Sequence, residues 1–561
     1  MMQGKGMKRR SGGMRRQADG EGGLVRALLQ PGVLPDSADG VELIETHISW
    51  VLLAGEHAWK LKKPLDLGFL DFSTVERRRE ACEAELRLNR RTAPMLYEAV
   101  VPVWRSAQGV RVGEPEAAGE LAAEETPLDY LVRMRRFEQS ALFAALLEAG
   151  RLEPVLFDRL ARHVADFHAA AAVAQPGQGF GDAAAVHAPV RQNFAQLRDL
   201  LSPARLDAPA LLAELVRVES WAEAQFAALA PVFDARLAEG RVRECHGDLH
   251  LGNLIVLDGE PRLFDGIEFS AALRWTDVVA DIAFLVMDLQ ARGRPALGWR
   301  FLNAWLERSG DYAGLRVLPW YLSYRAMVRA KIAAIRAAQV AGEARVESLA
   351  ECARYLALAA APMRTPAPAL LIASGVSGAG KTSQSFPLLE RCGVIRVRAD
   401  VERKRLFGLD AEAASGSALG GGLYTAEAGA RTYARLAELA RAVVEAGYPV
   451  LVDATFLKCA QRRAFAELAT ALGVPFAILA FDAPPEVLQA RVRSRLAAGG
   501  DASEADEAVL ATQLRTREAF ETEELARVLP IDTGSAPDWR RLLPALVRLW
   551  PGALAADAPG P

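Results

Sequence analysis

Two clusters of polar residues in this chain have the types and spacing that phosphoryl transfer from ATP requires. The first cluster begins in segment 245–253, CHGDLHLGN, and ends in segment 263–266, LFDG. Such a transfer needs a base at the attacking hydroxyl, oxygen ligands for Mg²⁺ and a cation on the phosphates. Asp248 would act on the hydroxyl, whereas Asn253 and Asp265 would supply oxygen atoms to the metal. The cluster therefore predicts a phosphoryl-transfer site.

A cation for the phosphates is expected on a strand closer to the start of the chain. In the sequence AWK, Ala58 and Lys60 share one strand face, as do the alanine and lysine of a V-A-I-K strand. Lys62 points the same way and remains an alternative. A helical stretch offers Glu85 as the carboxylate that would hold the lysine in an ion pair, with Glu83 as the second choice.

The two histidines of the first motif favour a structural role over metal binding. His246 is interpreted as the structural histidine of the catalytic loop. A zinc site formed by His246 and His250 is disfavoured, because no third ligand is spaced nearby. An apolar strand, 254–257, and a turn, 258–259, separate the two halves of the motif. This combination favours a phosphoryl-transfer site over a chance turn.

The second cluster is segment 375–382, GVSGAGKT, between the apolar run 370–373 and a predicted helix. In this context, backbone N–H groups at the helix N-terminus cradle the β-phosphate, Lys381 reaches the β and γ oxygens, and Thr382 binds Mg²⁺. The motif therefore predicts a P-loop. Its predicted nucleotide-binding residues are Gly375, Ser377, Gly378, Ala379, Gly380, Lys381, Thr382 and Ser383.

Four further positions belong to the second predicted site, and Asp400, Arg491 and Arg495 among them favour a kinase over a motor ATPase. Asp453 follows the apolar strand 450–452 and is a candidate metal-binding residue. Asp400 lies after the second strand, where an acid can meet a substrate hydroxyl, and is the proposed base. Arg491 and Arg495 share a predicted helix face and suit a lid over the transferring phosphate, with a solvated basic face as the alternative. The arginine-finger and sensor features of a hexameric motor are missing.

The elements around the first motif follow the order of a two-lobed kinase. Alternating residues between 42 and 102 predict a small sheet, with a charged helix between its strands. Periodic alanine and leucine residues then predict long helices, and Pro231 is expected to end one of them. We therefore predict an α+β protein-kinase-like domain over 24–361. Its predicted helices cover 74–91, 142–174, 210–230 and the block 280–361.

A second domain is predicted after a proline-rich linker at 362–368. From residue 369 onward, strands and helices alternate, which predicts an α/β P-loop NTPase domain over 369–550 with a parallel, doubly wound sheet. Residues 1–23 and 551–561 are predicted to be disordered tails. The predicted strands of the second domain are 369–374, 394–397, 450–452, 476–481 and 528–531.

The composition predicts a globular protein, and its near-neutral charge makes a small-molecule substrate the easier fit. Of its 561 residues, 51% are hydrophobic and 24% are charged, and the net charge is −3. Near-neutral charge gives no general attraction to nucleic acid or anionic membranes. The five cysteines show no metal-binding spacing and suit a reduced, cytoplasmic protein, and no apolar run is long enough for membrane insertion.

The first motif resembles the aminoglycoside phosphotransferase and choline kinase branch of the kinase-like superfamily, whose catalytic loop reads H-G-D-x-x-x-x-N. The resemblance extends to segments 65–72 and 277–281 and covers residues 24–361. As is usual in this branch, the sequence contains no glycine-rich loop of the protein-kinase type. The resemblance implies a small hydroxylated substrate.

The second domain resembles gluconate kinases, polynucleotide kinases and zeta toxins, which are compact P-loop kinases. The whole chain is therefore similar to bacterial fusions of the two domain types. This resemblance implies a bifunctional, ATP- and Mg²⁺-dependent phosphotransferase. The alternatives are one active kinase with a nucleotide-binding regulatory module, or a P-loop domain acting on nucleic-acid ends, for which the locally basic segment 391–405 is the sequence support.

Overall fold

The structure is a computed structural model that describes residues 23–38, 40–66, 70–106, 109–113, 126–363, 367–411, 413, 425–498 and 502–554. It divides into two compact units. Unit 1 contains residues 1–152 and 244–276, and unit 2 contains residues 153–243 and 277–561. Unit 2 thus joins many helices of the predicted first domain to the predicted P-loop domain, and the domain bounds 24–361 and 369–550 stay predictions.

The described residues form a six-stranded antiparallel sheet, a five-stranded parallel sheet and two sheets of two strands each. The strands are β1 (Glu42–Glu45), β2 (Ser49–Ala54), β3 (His57–Lys62), β4 (Tyr97–Ser106), β5 (Gly109–Val112), β6 (Asp129–Arg135), β7 (Val242–Glu244), β8 (Leu254–Leu257), β9 (Glu260–Leu263), β10 (Trp275–Asp277), β11 (Leu370–Ser374), β12 (Ile395–Arg398), β13 (Val450–Asp453), β14 (Phe476–Asp482) and β15 (Val528–Asp532). The two-stranded sheets pair β7 with β10 and β8 with β9.

The helices surround these strands, and most of them are in unit 2. They are α1 (Val75–Asn89), α2 (Phe143–Glu148), α3 (Pro154–Ala170), α4 (Ala183–Leu201), α5 (Pro209–Ala238), α6 (Ala271–Arg274), α7 (Val278–Ala291), α8 (Pro295–Ser309), α9 (Leu318–Gln339), α10 (Glu343–Ala360), α11 (Lys381–Gln384), α12 (Phe386–Cys392), α13 (Ala399–Leu406), α14 (Ala426–Glu445), α15 (Cys459–Leu472), α16 (Pro485–Ala498), α17 (Glu507–Thr516), α18 (Thr522–Leu525) and α19 (Trp539–Leu549). No helix among the described residues is long and apolar enough to cross a membrane.

Unit 1 is built on an antiparallel sheet of six strands in the order β1-β2-β3-β6-β4-β5. Side chains alternate between the faces of β3. Trp59 and Leu61 pack into a hydrophobic cluster on one face, and Ala58 packs into a second cluster that includes Cys82 of α1. Lys60 and Lys62 therefore lie on the sheet face that α1 covers.

Helix α1 begins at a capped N-terminus and presents a polar group to this face. The side chain of Thr74 accepts a hydrogen bond from the backbone N–H of Arg77, which is the usual arrangement of an N-cap. Ala81, Cys82 and Glu85 lie on the buried side of the helix. A fully buried glutamate requires a cation as a partner, and its partners are the lysines of β3.

Unit 2 contains a parallel sheet of five strands in the order β12-β13-β11-β14-β15. The predicted parallel sheet is confirmed, and each strand lies within one residue of its predicted bounds. Strand β11, which leads into the P-loop, is buried along its whole length at the centre of the sheet. The carboxyl ends of β11, β12 and β13 therefore meet at one edge, where a doubly wound sheet binds its ligands.

Two local predictions differ from the structure. Pro231 does not end its helix, because α5 continues to Ala238 with the proline inside it. The proline removes one backbone hydrogen bond, but Phe233 and Leu237 beyond it are buried, and their packing holds the last turns in helical form. Residues Pro551–Leu554, expected within a disordered tail, form a 3₁₀ turn with Ala553 buried. Residues 1–22, 67–69, 364–366 and 555–561 of the predicted tails, motif and linker lie outside the described residues.

Strand β12 lies at the edge of the parallel sheet, and side chains from the α8 region satisfy its backbone. Asn303 accepts a hydrogen bond from the N–H of Arg396 at 2.8 Å and donates one to the carbonyl of Val394 at 3.1 Å. The hydroxyl of Tyr312 donates to the carbonyl of Arg396 at 3.2 Å. These bonds take the place of a neighbouring strand, because an uncovered edge would leave its polar groups unpaired.

We predict that Asn303→Ala loosens this edge of the sheet. The substitution leaves one buried N–H and one buried carbonyl without partners, at a cost of about 2–4 kcal/mol. Hydrogen exchange of the β12 amides should become at least about tenfold faster, and the melting temperature should fall. Gln339→Ala, at an exposed helix end, is the control and should change neither. Unchanged exchange in Asn303→Ala would contradict this role.

Candidate active sites

In unit 1, Lys60 is held between two carboxylates. Its Nζ donates to Glu85 Oε1 at 2.8 Å and to Asp265 Oδ1 at 2.5 Å. Burial alone would lower the pKa of Lys60, but Asp265 and Glu85 outweigh it and hold the pKa well above its ordinary value. The side chain is therefore a permanent cation beside the metal-binding carboxylate predicted from the sequence.

Lys62 lies in the same network but deeper in the protein. It is fully buried, and its Nζ donates to Glu85 Oε2 at 2.7 Å and to Glu268. Lys60 alone of the two lysines reaches Asp265 among the ion pairs of the described residues. Glu83, the second choice for the carboxylate, is exposed and pairs with Arg79 at 2.8 Å. The geometry thus favours Lys60 and Glu85, and it adds Lys62 and Glu268 as their support.

The backbone of Asp265 adopts a left-handed conformation that aims its side chain at Lys60. Its φ is +59°, which is uncommon for a residue other than glycine. The hydroxyl of Tyr97 accepts a hydrogen bond from the Asp265 N–H at 3.0 Å, and Asn89 Oδ1 accepts one from the Gly266 N–H at 2.8 Å. Tyr97 and Asn89 were not identified from the sequence, since neither belongs to a motif and only the fold brings them here.

The catalytic-loop residues lie next to Asp265. His246 Nε2 donates to the carbonyl of Phe264 at 2.9 Å, which connects the two halves of the motif. Asn253 donates to the carboxylate of Asp248 at 3.0 Å and to the carbonyl of Asp265 at 3.5 Å. His250 Nε2 lies 3.3 Å from Asp248 Oδ2. The structure therefore brings Asp248, Asn253 and Asp265 together, with His246 in a structural position.

In unit 2, the P-loop glycines follow the backbone geometry that a phosphate cradle requires. Gly378 and Gly380 have φ values of +82° and +78°. A Cβ atom on Gly375 would lie 2.5 Å from the carbonyl of Phe481, and one on Gly378 would lie 2.7 Å from the carbonyl of Leu488. Only glycine fits these two positions, so the loop can turn its N–H groups towards one point.

The P-loop lysine is held by backbone carbonyls. Lys381 Nζ donates to the carbonyls of Gly375 and Val376 at 2.9 and 3.0 Å. Burial lowers the pKa of Lys381, and the nearby Asp453 and Asp400 act in the opposite direction. Ser383 donates to the carbonyl of Gly380 at 3.3 Å. Among the described residues, the hydrogen-bond partners of the Lys381 ammonium group are therefore backbone carbonyls and not carboxylates.

A cavity of about 570 Å³ opens beside the P-loop and collects the other predicted residues. Thr382 Oγ1 donates to Asp453 Oδ2 at 2.6 Å, and Arg403 donates to Asp400 at 2.9 Å. Arg491 binds the carbonyls of Gly378 and Thr533, and Arg495 binds the carbonyl of Ala505. The predicted residues that line the cavity are Ser377, Gly378, Gly380, Lys381, Thr382, Ser383, Asp400, Asp453, Arg491 and Arg495, whereas Gly375 and the buried Ala379 support the loop from behind.

Sequence reasoning missed two further residues of this cavity. Gln513 of α17 accepts a hydrogen bond from the P-loop N–H of Ser377 at 2.7 Å. The hydroxyl of Tyr433 accepts one from the N–H of Phe456 at 3.2 Å, and its ring lines the cavity. Both residues come from helices far from the motif in the chain. A glutamine and a tyrosine within alanine-rich helices carry no sequence signal for this position.

Comparison with known proteins finds a family match for each of the two regions. Residues 70–318 match the model of the phosphotransferase enzyme family, and residues 370–520 match the model of an AAA domain. The two families predicted from the motifs are thereby confirmed, as are the kinase-like α+β fold and the P-loop NTPase fold. The chain combines an aminoglycoside-phosphotransferase-like domain with a P-loop kinase-like domain, and it is an ATP-dependent kinase.

A protein from Mycobacterium tuberculosis, described as uncharacterized, is similar to this chain over most of its length. It is 29% identical over 483 residues, which cover 85% of this chain and 90% of that protein. A protein from Mycobacterium bovis, also described as uncharacterized, matches over the same shares at the same identity.

Solved structures are similar to parts of this chain. A sugar kinase from a Janibacter species is 25% identical, covers 34% of this chain and 98% of its own, and has a TM-score of 0.26. A choline/ethanolamine kinase family protein from Mesorhizobium loti is 14% identical, covers 60% of this chain and 98% of its own, and has a TM-score of 0.34.

We predict that Glu85→Gln strongly destabilises unit 1, whereas Glu83→Gln does not. Removing the Glu85 charge takes away the carboxylate that the two buried lysines share. The free energy of unfolding should therefore fall by about 3–5 kcal/mol. Glu83 is exposed, so its loss should cost less than about 1 kcal/mol. Urea unfolding of the two variants measures the difference. Equal stability of both would contradict the role of Glu85.

The ion pairs of Glu85 with Lys60 and Lys62 also predict that the stability of the protein depends on pH. Lys60 and Lys62 outweigh burial and hold the pKa of Glu85 well below its ordinary value of 4.5. A lowered pKa in the folded state stabilises the protein above pH about 4.5, and this contribution is lost as the pH falls below it. The stability difference between the wild type and Glu85→Gln should therefore shrink on acidification below pH about 4.5.

Proposed function

We propose that the chain is a bifunctional phosphotransferase that moves the γ-phosphoryl group of Mg·ATP to hydroxyl groups of small molecules at two separate sites. The observation that supports this most is that each site holds its own lysine and its own carboxylates within one structural unit. A module that only binds nucleotide needs the lysine but no acid next to the acceptor. Two sets of a lysine with carboxylates therefore favour two phosphoryl-transfer sites over one such site and a nucleotide-binding module.

At the first site, the residues present fit Mg²⁺ and ATP. Asn253 turns its amide nitrogen to Asp248, so that Oδ1 is the atom it would offer to a metal, and Asp265 offers a carboxylate. When bound, Mg²⁺ would neutralise charge on the phosphates. Lys60 would bind phosphate oxygens, held in place by Glu85. Asp248 would orient the acceptor hydroxyl and accept its proton as the oxygen attacks the γ-phosphorus.

At the second site, the glycine geometry and the Thr382–Asp453 pair fit Mg·ATP in the same way. Backbone N–H groups of the loop would bind the β-phosphate, and Lys381 would move from the backbone carbonyls to the β and γ oxygens. Arg491 and Arg495 would stabilise charge on the transferring phosphoryl group. Asp400, at the start of α13, would accept the proton of the acceptor hydroxyl.

The acceptors proposed for both sites are small hydroxylated molecules. The net charge of −3 provides no general attraction to nucleic acid, so action on nucleic-acid ends is the weaker alternative. A screen of the full chain with labelled ATP against sugars, amino alcohols, aminoglycosides and oligonucleotides tests this proposal. Transfer to an oligonucleotide but to no small molecule would overturn it.

Substitutions of Asp248 and of Asp265 should have different effects on the first site, because only Asp265 would bind the metal. In a Lys381→Ala background, which removes nucleotide binding at the second site, Asp265→Ala should lower Mg·ATP affinity and turnover together. Asp248→Ala should lower turnover by a factor of about 100 or more and leave the affinity nearly unchanged. ATP titration and single-turnover phosphotransfer measure both values. Equal loss of affinity in the two variants would contradict the assignment.

The second site can be tested in an Asp265→Ala background. Asp400→Asn should abolish acceptor phosphorylation and leave ATP binding nearly intact, because an amide keeps the position but cannot take a proton. Lys381→Ala is the matched control, and it should weaken ATP binding itself. If Asp400→Asn loses ATP binding as Lys381→Ala does, Asp400 is a structural or metal-binding residue instead.

A further inference from the structure

A second, smaller cavity in unit 2 adjoins the nucleotide cavity. Its volume is about 210 Å³, and we call it the arginine cavity. Thr382, Phe386 and Arg398 line both cavities. One wall of the arginine cavity comes from β12 and the P-loop helices, and the opposite wall comes from α3 and α8. It therefore lies directly beside the place where the P-loop would hold the phosphates.

The walls of this cavity carry more guanidinium groups than carboxylates. The charged residues that line it are Arg162, Arg300, Arg308, Arg396 and Arg398, with Asp158 and Glu307. Several partners of these arginines, such as Glu390, Asp166 and Asp410, lie outside the lining. Within the lining, Asp158 pairs with Arg300, and Glu307 pairs with Arg396 and Arg398, so five guanidinium groups lie around two carboxylates.

The excess of guanidinium groups over carboxylates is largest at the end of the cavity next to the P-loop. Arg396 and Arg398 share one carboxylate, that of Glu307, at 3.3 and 2.7 Å. Burial would raise the pKa of Glu307, but Arg398 and Arg396 outweigh it, so the carboxylate stays ionised. The side chain of Arg396 is 7% exposed, and its buried Nε has no acceptor among the described residues. One buried donor at this end therefore lacks an acceptor oxygen.

We propose that the arginine cavity binds an anionic group, a phosphate or a carboxylate, carried by the hydroxylated acceptor of the second site. This inference rests on the proposed function of that site. An acceptor anchored there would extend its hydroxyl past Arg398 towards Asp400, two residues further along the chain. The cavity volume of about 210 Å³ fits an anionic group of a few heavy atoms.

Helices α3 and α8 both lie within residues 70–318, the part of the chain that matches the phosphotransferase enzyme family. Arg162, Arg300 and Arg308 therefore come from one family's region and complete a cavity beside the P-loop of the other. In this arrangement, the second site takes its acceptor specificity in part from the first region. This gives the linkage of the two regions in one chain a chemical role.

Binding of a simple anion tests the cavity without any knowledge of the acceptor. The full chain is saturated with the Mg²⁺ complex of a non-hydrolysable ATP analogue, so that both phosphate sites are filled. Inorganic phosphate and acetate are then titrated by calorimetry. We expect one anion to bind with a stoichiometry of one, and its chemistry distinguishes a phosphate-bearing acceptor from a carboxylate-bearing one. Binding of neither anion would overturn the proposal.

Substitutions that change the charge of the arginine cavity then test whether the anion binds there. Arg308→Gln and Arg300→Gln should each weaken binding by about three- to tenfold. Glu307→Gln keeps the side-chain shape, removes the shared countercharge and should strengthen binding several-fold. Arg493→Gln is the control, because this exposed arginine pairs with Glu507 and lies outside the lining. A purely structural role of these residues predicts no strengthening in Glu307→Gln. If that variant fails to fold, equal affinity in the two arginine variants and the control would still overturn the proposal.

Phosphotransfer assays distinguish a failure of this inference from a failure of the proposed function. In an Asp265→Ala background, glycerol, glycerate and glycerol 3-phosphate are compared as acceptors, since they differ only in the anionic group. Preference for a charged acceptor that is lost in Arg308→Gln supports the proposal. Equal or better transfer to glycerol overturns it while the kinase activity stands. Anion binding at the cavity without transfer to any acceptor in the wider screen would instead count against the proposed function of the second site.

Discussion

A lysine ammonium group bound to oxygen atoms of the protein is the feature on which both sites depend. An ammonium group removed from water requires oxygen partners, and the two units supply them differently. Lys60 is held by the carboxylates of Glu85 and Asp265, whereas Lys381 is held by the carbonyls of Gly375 and Val376. The first arrangement raises the pKa of its lysine, and in the second, burial lowers it. Each lysine is thus positioned before any phosphate arrives.

This difference affects what must happen when a nucleotide binds. Asp265 would have to exchange Lys60 for a metal, so the buried Lys62–Glu268 pair keeps Glu85 anchored while one of its neighbours changes partner. Backbone carbonyls at the second site carry no net charge, so Lys381 can leave them at a smaller electrostatic cost. The first site therefore needs a network of ionic groups, and the second needs only a loop with a fixed backbone shape.

Local patterns in the sequence predicted the groups that would touch the nucleotide. Alternation along β3 placed Lys60 and Lys62 on one face, and the helical pattern placed Glu85 opposite them. Tyr97, Asn89 and Gln513 were missed, because each acts through a contact between distant segments that no spacing encodes. Pro231 was misjudged for the same reason, since the local preference to end a helix is weaker than the packing of Phe233 and Leu237.

The edge strand β12 connects the helical region to the chemistry of the P-loop. Asn303 and Tyr312 satisfy its backbone, and Glu307 binds Arg396, whose guanidinium donates to the carbonyl of Thr382 at 2.9 Å. Thr382 is also the residue that contacts Asp453. A shift of α8 would therefore act on the first turn of the P-loop helix through two polar contacts, Glu307 to Arg396 and Arg396 to Thr382. Because both contacts are partly buried and directional, a small displacement would cost a hydrogen bond, so α8 stabilises one arrangement of the loop.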